Sequence, residues 1–369
     1  MVHVGSINVA IVGVGNCASA LVQGIEHYRD VEPDADIPGL LNPVLGGYHV
    51  GDLDVVCGFD IDERKVGRDV GEAIFADPNC ALEVREEPPE VEAPVYMAPP
   101  ADGRSPRMDE ADEDDAFVVA DRDPVDPAAK LAEHDVDVLV NLLPVGSQQA
   151  TETWMQAALE AEVAVVNGIP VFVASEPSWA KRFTDADVPI LGDDVKSQVG
   201  ATITHRVLSN MFENRGVDVG ETYQLNVGGN TDFLTLQDVE RLDSKRTSKT
   251  EAVQSQLDEP LDEHDIKIAP SDYVPFLGDN KVAFIRMQGE GFLGAPVELE
   301  ARLSVEDSPN SAGILTDAIR CAALAADEGR AGPIEGPSSL FFKRPPAQCT
   351  DEEALERMQA FVTETADGN

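Results

Sequence analysis

The chain has 369 residues, of which 69 are acidic and 27 are basic, so its formal net charge at pH 7 is -42. This charge excludes a nucleic-acid-binding protein of the usual basic kind, because a phosphate backbone would be repelled. With 43 % apolar residues there is material for about two domains. The acidity indicates a solvated carboxylate surface suited to concentrated salt. At 1 M salt, charges are screened over about 3 Å, which suppresses the repulsion between the carboxylates.

The five cysteines favour an intracellular protein. They are scattered and contain no CxxC pair, so the sequence predicts neither a disulfide framework nor a zinc-finger spacing. No apolar run approaches the ~20 residues of a membrane span. The first apolar run enters a glycine turn rather than a cleavage site, which favours a strand over a signal peptide. We therefore expect a cytoplasmic protein.

The N-terminal segment has the order of a dinucleotide-binding unit. The apolar run Ile7–Val12 precedes the G-x-G-x-x-A turn Gly13–Ala18, and a helical pattern follows. Gly13 permits the tight turn, Gly15 lets the backbone approach a pyrophosphate, and the small Ala18 permits close helix packing. The segment predicts a Rossmann-like fold.

An acidic residue ends the second predicted strand. Asp60 follows the run Asp54–Phe59, where a carboxylate can accept hydrogen bonds from the adenosine ribose hydroxyls and favours NAD over NADP. The usual separation from the glycines is about 20 residues, and here it is larger because the Pro- and Gly-rich segment Pro33–Gly51 is inserted. A Rossmann-like domain without a dinucleotide is the less favoured alternative.

Three further apolar runs predict strands of the same sheet, at Val136–Leu143, Val163–Val166 and Val188–Leu191. Helical patterns such as Thr151–Glu162 separate them, which is typical of a doubly wound parallel sheet. Residues 86–128 are rich in proline and acidic side chains, and we expect them to form a solvated loop.

Polar turns follow these strands at Leu143–Ser147, Asn167–Pro170 and Gly192–Asp194. Ligands in open α/β sheets bind outside the carboxyl ends of the strands, so these turns are candidate site segments.

After about residue 200 the pattern changes. Apolar and polar residues alternate over Val297–Val305, which predicts a half-buried antiparallel strand, with Tyr223–Val227 and Val282–Met287 as companions. Such a small sheet must cover its apolar face, with helices or with another subunit, and we expect oligomerisation through it. A helical period returns near residue 310 and stops at Gly329.

The predicted organisation is therefore an NAD-binding α/β domain with an inserted α+β catalytic and oligomerisation domain on a mainly antiparallel sheet. The α/β domain takes residues 1–200 and 310–369, and the inserted domain takes residues 201–309.

Lysine is scarce in this chain, with nine residues in all. Five of them lie in short Gly-, Asp-, Ser- and Asn-rich segments: Lys196, Lys245, Lys249, Lys281 and Lys343. Their placement predicts a cationic pocket for a phosphorylated anion. For Lys196, structural support near Asp193 and Asp194 is an equally weighted alternative.

Five segments in order resemble the signature segments of the myo-inositol-1-phosphate synthase family, also called inositol-3-phosphate synthases, in its prokaryotic branch. They are Gly13–Ser19, Gly192–Gln198, Asn226–Phe233, Ser244–Lys249 and Asp307–Gly313. The resemblance runs from residue 7 to about 346, whereas the acidic stretch around 105–117 is private to this chain.

The resemblance implies an isomerase that uses NAD and glucose 6-phosphate and takes part in inositol and phospholipid biosynthesis. In that family the substrate is oxidised at C5, deprotonated at C6, closed by an intramolecular aldol step onto C1 and reduced again, which gives 1D-myo-inositol 3-phosphate with no net redox change. A homotetramer is also implied.

The resemblance further implies site roles. The catalytic set is Lys245, Lys249, Lys281, Lys343 and Asp232, with Lys245 assisting proton transfer at the C5 oxygen. The substrate phosphate is assigned to Ser197, Gln198, Lys249 and Lys281. The cofactor is assigned to Gly13, Gly15, Asn16, Cys17, Ala18, Asp60, Pro144, Gly146, Asn167, Asp194 and Asp307.

Some alternatives stay open. An ordinary NAD-dependent sugar-phosphate dehydrogenase would share the Rossmann-like half, and a non-catalytic NAD sensor would keep the nucleotide site, although neither needs several poised lysines. Some members of the prokaryotic branch use a divalent metal ion as a Lewis acid, and the sequence does not decide this for the present chain. The histidines His49, His134 and His205 lack a metal-ligand spacing.

Overall fold

The structure, a computed structural model, describes residues 5–84, 87–237, 249–257, 259–262 and 264–367. In the first part of the chain the strands are β1 (Ile7–Val12), β2 (Val44–Leu45), β3 (Tyr48–His49), β4 (Leu53–Asp60), β5 (Val95–Met97), β6 (Val138–Asn141), β7 (Ala164–Asn167) and β8 (Pro189–Leu191). The helices there are α1 (Asn16–Tyr28), α2 (Val70–Ala73), α3 (Pro127–Glu133), α4 (Gln148–Ala161) and α5 (Pro177–Asp185).

In the second part the strands are β9 (Asp218–Gly228), β10 (Ile266–Tyr273), β11 (Asn280–Glu290), β12 (Pro296–Glu306) and β13 (Gly332–Pro333). The helices there are α6 (Ala201–Asn214), α7 (Thr231–Thr235), α8 (residues 249–254), α9 (Asp307–Asp327), α10 (Glu335–Phe341) and α11 (Asp351–Asp367).

Seven parallel strands form the larger sheet, in the order β13-β8-β7-β6-β1-β4-β5. The order reverses at β1, which pairs with β4 on one side and β6 on the other, so the switch point lies where the glycine turn leaves β1. The predicted doubly wound parallel sheet is confirmed, with predicted strands shortened or extended by one to two residues.

Helices cover both faces of this sheet, which explains why strands such as β6 and β7 are buried throughout. One face packs against α1 and α9, with Leu21 and Leu315 in a single apolar cluster. The other face packs against α4 and α5 through Trp154 and Phe183. Helix α9 directly follows β12 of the second sheet and packs in this core. The C-terminal part of the chain therefore completes the packing of the first sheet.

The second sheet has the order β10-β9-β11-β12 and is mainly antiparallel, since only the β9–β10 pair is parallel. In β12 the side chains alternate between half-buried apolar residues and exposed residues, as the sequence predicted. Helix α6 packs on one face, where Phe212 meets Ile285 and Met287. The elements of this sheet run from 218 to 306, whereas those of the larger sheet run from 7 to 191 and from 332 to 333.

Two loop predictions need correction. Residues 86–128 are more than a solvated loop: they contain the edge strand β5, and two short 3-10 helices follow at Pro106–Asp109 and Glu113–Asp115. The segment folds because Met108 and Ala116 are buried against Leu234 of α7, while its acidic side chains stay at the surface. The insertion at 33–51 likewise contains the hairpin β2–β3.

Candidate active site

The glycine turn after β1 has the geometry that the sequence predicted. Gly13 adopts a φ of +89°, and a Cβ at this position would lie 2.6 Å from the carbonyl oxygen of Leu142, so only glycine fits. A Cβ at Gly15 would meet no protein atom within 4 Å, and no side chain caps the start of α1. The first N–H groups of α1 therefore face open space, as an anion-binding helix terminus requires.

Asp60 fixes this turn with its carboxylate. One oxygen accepts a hydrogen bond from the Val14 N–H at 2.8 Å, and the other accepts from the N–H groups of Ile61 and Asp62 at 2.7 and 2.9 Å. A carboxylate offers about four lone-pair sites, so capacity remains for a ligand hydroxyl. Asp60 thus joins β4 to the glycine turn and presents a charge at the end of the strand.

A cleft opens between the carboxyl ends of the parallel strands and the second sheet. The predicted site residues that line it are Gly13, Gly15, Asn16, Cys17, Asp60, Pro144, Asp194, Ser197, Asp232, Lys281, Asp307 and Lys343. The fold therefore brings into one cleft most of the residues that the sequence assigned to the cofactor and to catalysis.

Lys281 lies at the start of β11, borders the cleft and forms an ion pair with Asp307, the first residue of α9. Its Nζ lies 3.1 and 3.0 Å from the two carboxylate oxygens, and 5.7 Å from the centre of the Phe233 ring. Burial by itself lowers the pKa of Lys281, but the charge of Asp307, assisted by Asp232 and Asp194, outweighs it and raises the pKa. The amine is therefore a fixed ammonium ion in a partly dry site.

Lys343 reaches the same cleft from the segment after α10. Its Nζ donates to Asp194 Oδ1 at 2.7 Å, and its backbone N–H donates to the carbonyl oxygen of Asp194 at 2.7 Å. Asp194 adopts a φ of +62° in the turn after β8. Two hydrogen bonds to one residue fix the position of Lys343 at the strand end.

Asp279 is a buried carboxylate that the sequence analysis missed. It accepts hydrogen bonds from Asn230 Nδ2 at 3.0 Å and from the N–H and hydroxyl groups of Ser308, both at 2.9 Å. Burial raises its pKa to about 6, more than these hydrogen bonds lower it, and Asp307 adds to the rise. Asp279 ties together the starts of α7 and α9, which carry Asp232 and Asp307.

The thiol of Cys17 lies beside this group, with Sγ 4.0 Å from the Ser308 hydroxyl oxygen. Burial, together with the carboxylates of Asp307 and Asp279, raises its pKa to about 12. The helix N-terminus is therefore outweighed, and the thiol is neutral and packs against the wall of the cleft.

Several predicted residues support the cleft without lining it. Ala18 is buried inside α1, and Gly146 provides the positive φ of +84° in the turn before α4. Asn167 donates to Asp193 Oδ1 at 2.7 Å. Lys196 donates to the carbonyl oxygen of Ser339 at 2.7 Å, and burial together with the charge of Arg206 lowers its pKa to about 7. The amine therefore contacts α10 rather than the predicted place near Asp193 and Asp194, and a role of Lys196 in the cationic pocket stays a prediction.

Two other predicted residues, Gln198 and Lys249, fall outside the observed cleft lining, and a third is not described. The side chain of Gln198 contacts the carbonyl oxygen of Gly39 and borders a separate groove beside α1, because its backbone is tied to Asn310. Lys249 is buried at the start of α8, a helix that Arg206 contacts through Ala252. Lys245 lies outside the described residues, so its assignment stays a prediction.

Lys65 is a further lining residue that the sequence analysis passed over. It lies five residues after Asp60 and is almost fully buried. Scarcity of lysine was the available signal, but Lys65 is not in a glycine-rich segment, which was the criterion applied to the others. In the described residues, no group of three or more histidine, cysteine, aspartate or glutamate side chains is arranged to hold a metal ion.

Comparison with known proteins gives a consistent picture. The family model described as myo-inositol-1-phosphate synthase matches residues 200–308. An inositol-3-phosphate synthase of Mycolicibacterium smegmatis is 48 % identical over 364 residues, which is 98 % of this chain and 99 % of that protein.

Solved structures match over almost the whole chain as well. The crystal structure of Ari2 is 34 % identical, has a TM-score of 0.77, and the match covers 98 % of this chain and 99 % of Ari2. A myo-inositol-1-phosphate synthase-related protein from Thermotoga maritima is 24 % identical with a TM-score of 0.76, covering 97 % and 98 %, which supports the fold.

Proposed function

The chain belongs to the myo-inositol-1-phosphate synthase family, and from this premise we propose that its cleft binds NAD and converts D-glucose 6-phosphate into 1D-myo-inositol 3-phosphate. The observation that carries the proposal is the meeting of the glycine turn with two ion-paired lysines in one cleft. An ordinary dehydrogenase needs the turn, but it does not need several fixed ammonium groups.

The residues at the glycine turn fit NAD. The open space above Gly15, the uncapped start of α1 and the carboxylate of Asp60 suit a pyrophosphate and a ribose in that order. Pro144 and Asp307 border the same cleft, and Asp307 pairs with Lys281. When bound, NAD would supply the removal of a hydride from substrate C5 and its return.

Lys281 and Lys343 would stabilise negative charge on the substrate. Because the Lys281 amine is held as an ammonium by Asp307, it suits electrostatic stabilisation of an oxyanion or of the phosphate rather than proton abstraction. Lys343, held by Asp194, suits the same task at a second oxygen. Each alkoxide or enolate in the sequence of oxidation, enolisation, aldol closure and reduction would then meet a preorganised cation.

The remaining roles are proposals of the same kind. The hydroxyl of Ser197 lies 3.1 Å from that of Ser311 and borders the cleft, so it can donate to a phosphate oxygen. Lys245 would move a proton at the C5 oxygen, and Lys249 would neutralise the phosphate. Asp232 starts α7 at the cleft and would orient a lysine or the nicotinamide end of the cofactor.

The test is incubation with glucose 6-phosphate and NAD in molar salt, with and without a chelator, following NADH absorbance and phosphorus NMR. An inositol phosphate with no lasting NADH is the expected result. Steady growth of NADH with an oxidised sugar would make the protein a dehydrogenase, and binding without turnover would make it a sensor. Loss of the product signal with the chelator would add a divalent metal ion to the proposal.

We also propose a homotetramer built through the second sheet. The apolar residues of β12 stay only half-buried in the single chain, and α6 next to them exposes Val207 and Met211 at 57 % and 42 %. A second copy would cover this face. Light scattering after size exclusion should give four times the mass of one chain, and a monomer at micromolar concentration would contradict the proposal.

The acidic surface and the cysteines support two further proposals, adaptation to high salt and a cytoplasmic location. All five cysteines are unpaired, and no helix in the described residues is long and apolar enough to cross a membrane. With a net charge of -42, the melting temperature should rise as potassium chloride increases from dilute buffer to molar concentration. A melting temperature and activity that do not change with salt would contradict the salt adaptation.

A further inference from the structure

Lys65 is a buried lysine at the cofactor end of the cleft that the roles above do not use. Its side chain is 1 % exposed, and its Nζ donates to the carbonyl oxygen of Val14 at 2.9 Å and to Asn79 Oδ1 at 2.8 Å. An ammonium group has three N–H donors. With these two acceptors engaged, one donor remains for a ligand in the cleft that Lys65 borders.

Lys65 lies at the end of the cleft where Asp60 would accept hydrogen bonds from the adenosine ribose. Asp60, at the end of β4, borders the cleft next to it, and Nζ lies 5.9 Å from the centre of the Phe117 ring, which also borders the cleft. Two other carboxylates are near: Asp62, which is ion-paired with Arg64 at 2.6 Å, and Asp77, whose influence on Lys65 is weaker. Among the described residues, Asp60 and Lys65 are the charged side chains that border the cleft at this end.

A buried ammonium is costly unless it is fully paired. Two neutral acceptors satisfy Lys65 only in part, and burial lowers its pKa although Asp60 and Asp62 act in the opposite direction. A cation near the adenosine ribose is also the usual partner of the 2′-phosphate of NADP, whereas an acid there accepts the free hydroxyls of NAD. This site contains both kinds of residue.

We propose that Lys65 is a donor to the adenosine ribose that can also bind a 2′-phosphate, and that Asp60 alone keeps the site selective for NAD. The inference rests on the proposed function, because it takes the adenosine ribose to lie beside Asp60. In the native site the carboxylate repels a 2′-phosphate and offsets the attraction of Lys65. Once that carboxylate is removed, Lys65 becomes the dominant charge and favours NADP.

The experiment measures NAD⁺ and NADP⁺ binding by titration calorimetry at one fixed salt concentration. The variants are Asp60→Ser, Lys65→Met, the double variant, and Lys181→Met as a control at an exposed lysine paired with Asp185. We expect Asp60→Ser to bind NADP⁺ at least about tenfold more tightly than wild type and NAD⁺ about tenfold more weakly. The double variant should lose the NADP⁺ gain, and Lys181→Met should resemble wild type.

A second substitution guards against misfolding, because the carboxylate of Asp60 also accepts three backbone N–H groups. Asp60→Asn removes the charge but keeps an acceptor, and it should give a smaller NADP⁺ gain in the same direction. The inference is overturned if neither variant gains NADP⁺ affinity, or if the gain persists when Lys65 is methionine. A wild-type protein that binds neither nucleotide would instead overturn the proposed function, before any variant is compared.

Discussion

The two sides of the cleft are built by different means. On the proposed cofactor side the candidate ligand groups are backbone atoms of one turn and a carboxylate that contacts this turn directly, so Val14 and Asp60 define it within one β-α-β unit. On the catalytic side the groups are charged side chains held by distant partners, as Lys343 is by Asp194, 149 residues away. Local pattern therefore sets the proposed cofactor end of the cleft, whereas tertiary pairing sets where the cations lie.

The sharpest way to separate the sides is Lys281→Met. It removes the ammonium that Asp307 holds and should lower kcat about 1000-fold, since loss of one preorganised charge in a dry site costs 10²–10³ or somewhat more. The NAD⁺ dissociation constant should change by less than about threefold. Steady-state kinetics and titration calorimetry measure the two effects, with Lys181→Met as control. An equal loss in NAD⁺ affinity would contradict the division.

A somewhat smaller effect is expected for Lys343→Met. Its ammonium should stabilise a single oxyanion, so kcat should fall about 100-fold. Because its backbone N–H remains bound to Asp194, the fold should be retained, which circular dichroism can check. Unchanged kcat would remove Lys343 from the catalytic set.

Gly13→Ala should impair NAD⁺ binding without changing the lysines on the catalytic side. The new Cβ would lie 2.6 Å from the Leu142 carbonyl oxygen at a positive φ, so the turn must move and NAD⁺ affinity should fall about tenfold. Gly216→Ala is the matched control, because Gly216 has a φ of +66° with no atom within 4 Å of a Cβ. It should cost stability through strain alone, of order 1 kcal/mol, and leave NAD⁺ binding intact.

The smallest expected effect is on the free energy of unfolding and concerns Asp279, which joins the starts of α7 and α9. Its pKa of about 6 in the fold exceeds the unfolded value of about 3.9, so the folded state binds this proton more tightly. This contribution is fully present below about pH 4 and is lost as pH rises through 6. Relative to Asp279→Asn, wild type should lose about 1–3 kcal/mol of unfolding free energy between pH 4 and 7 in urea titrations. A parallel pH dependence in both proteins would contradict the raised pKa.

Much of the fold followed from periodicity alone. Strand β1, the glycine turn and α1 were predictable because their signals are local, and the alternation of β12 survives because one face of that sheet is covered. Residues 86–128 were mispredicted because their abundant acidic and proline residues concealed a few apolar anchors. Met108 is such an anchor, and only its contact with Leu234 reveals it.

The site was predictable where residue type and motif coincide, and less so where a partner lies far along the chain. Asp279 could not be singled out, because the role of an aspartate in a loop depends on what it contacts. For Lys65 the scarcity of lysine was a signal, but no motif accompanied it. Gln198 lies next to Ser197 in the same motif, yet the bond between its backbone N–H and Asn310 turns it toward another groove. A motif thus predicted the segment and not the direction of each side chain.

The late position of Lys343 has a consequence for how the protein is made. During synthesis the glycine turn, Asp60 and Asp194 leave the ribosome well before the segment that supplies Lys343, and α9, which covers one face of the first sheet, also comes late. A partly synthesised chain would therefore contain the nucleotide-binding turn without a complete set of cations. The last lysine of the proposed set is thus made together with the helices that complete the packing of the first sheet, so we expect a chain truncated before residue 343 to lack both the cation and a complete core.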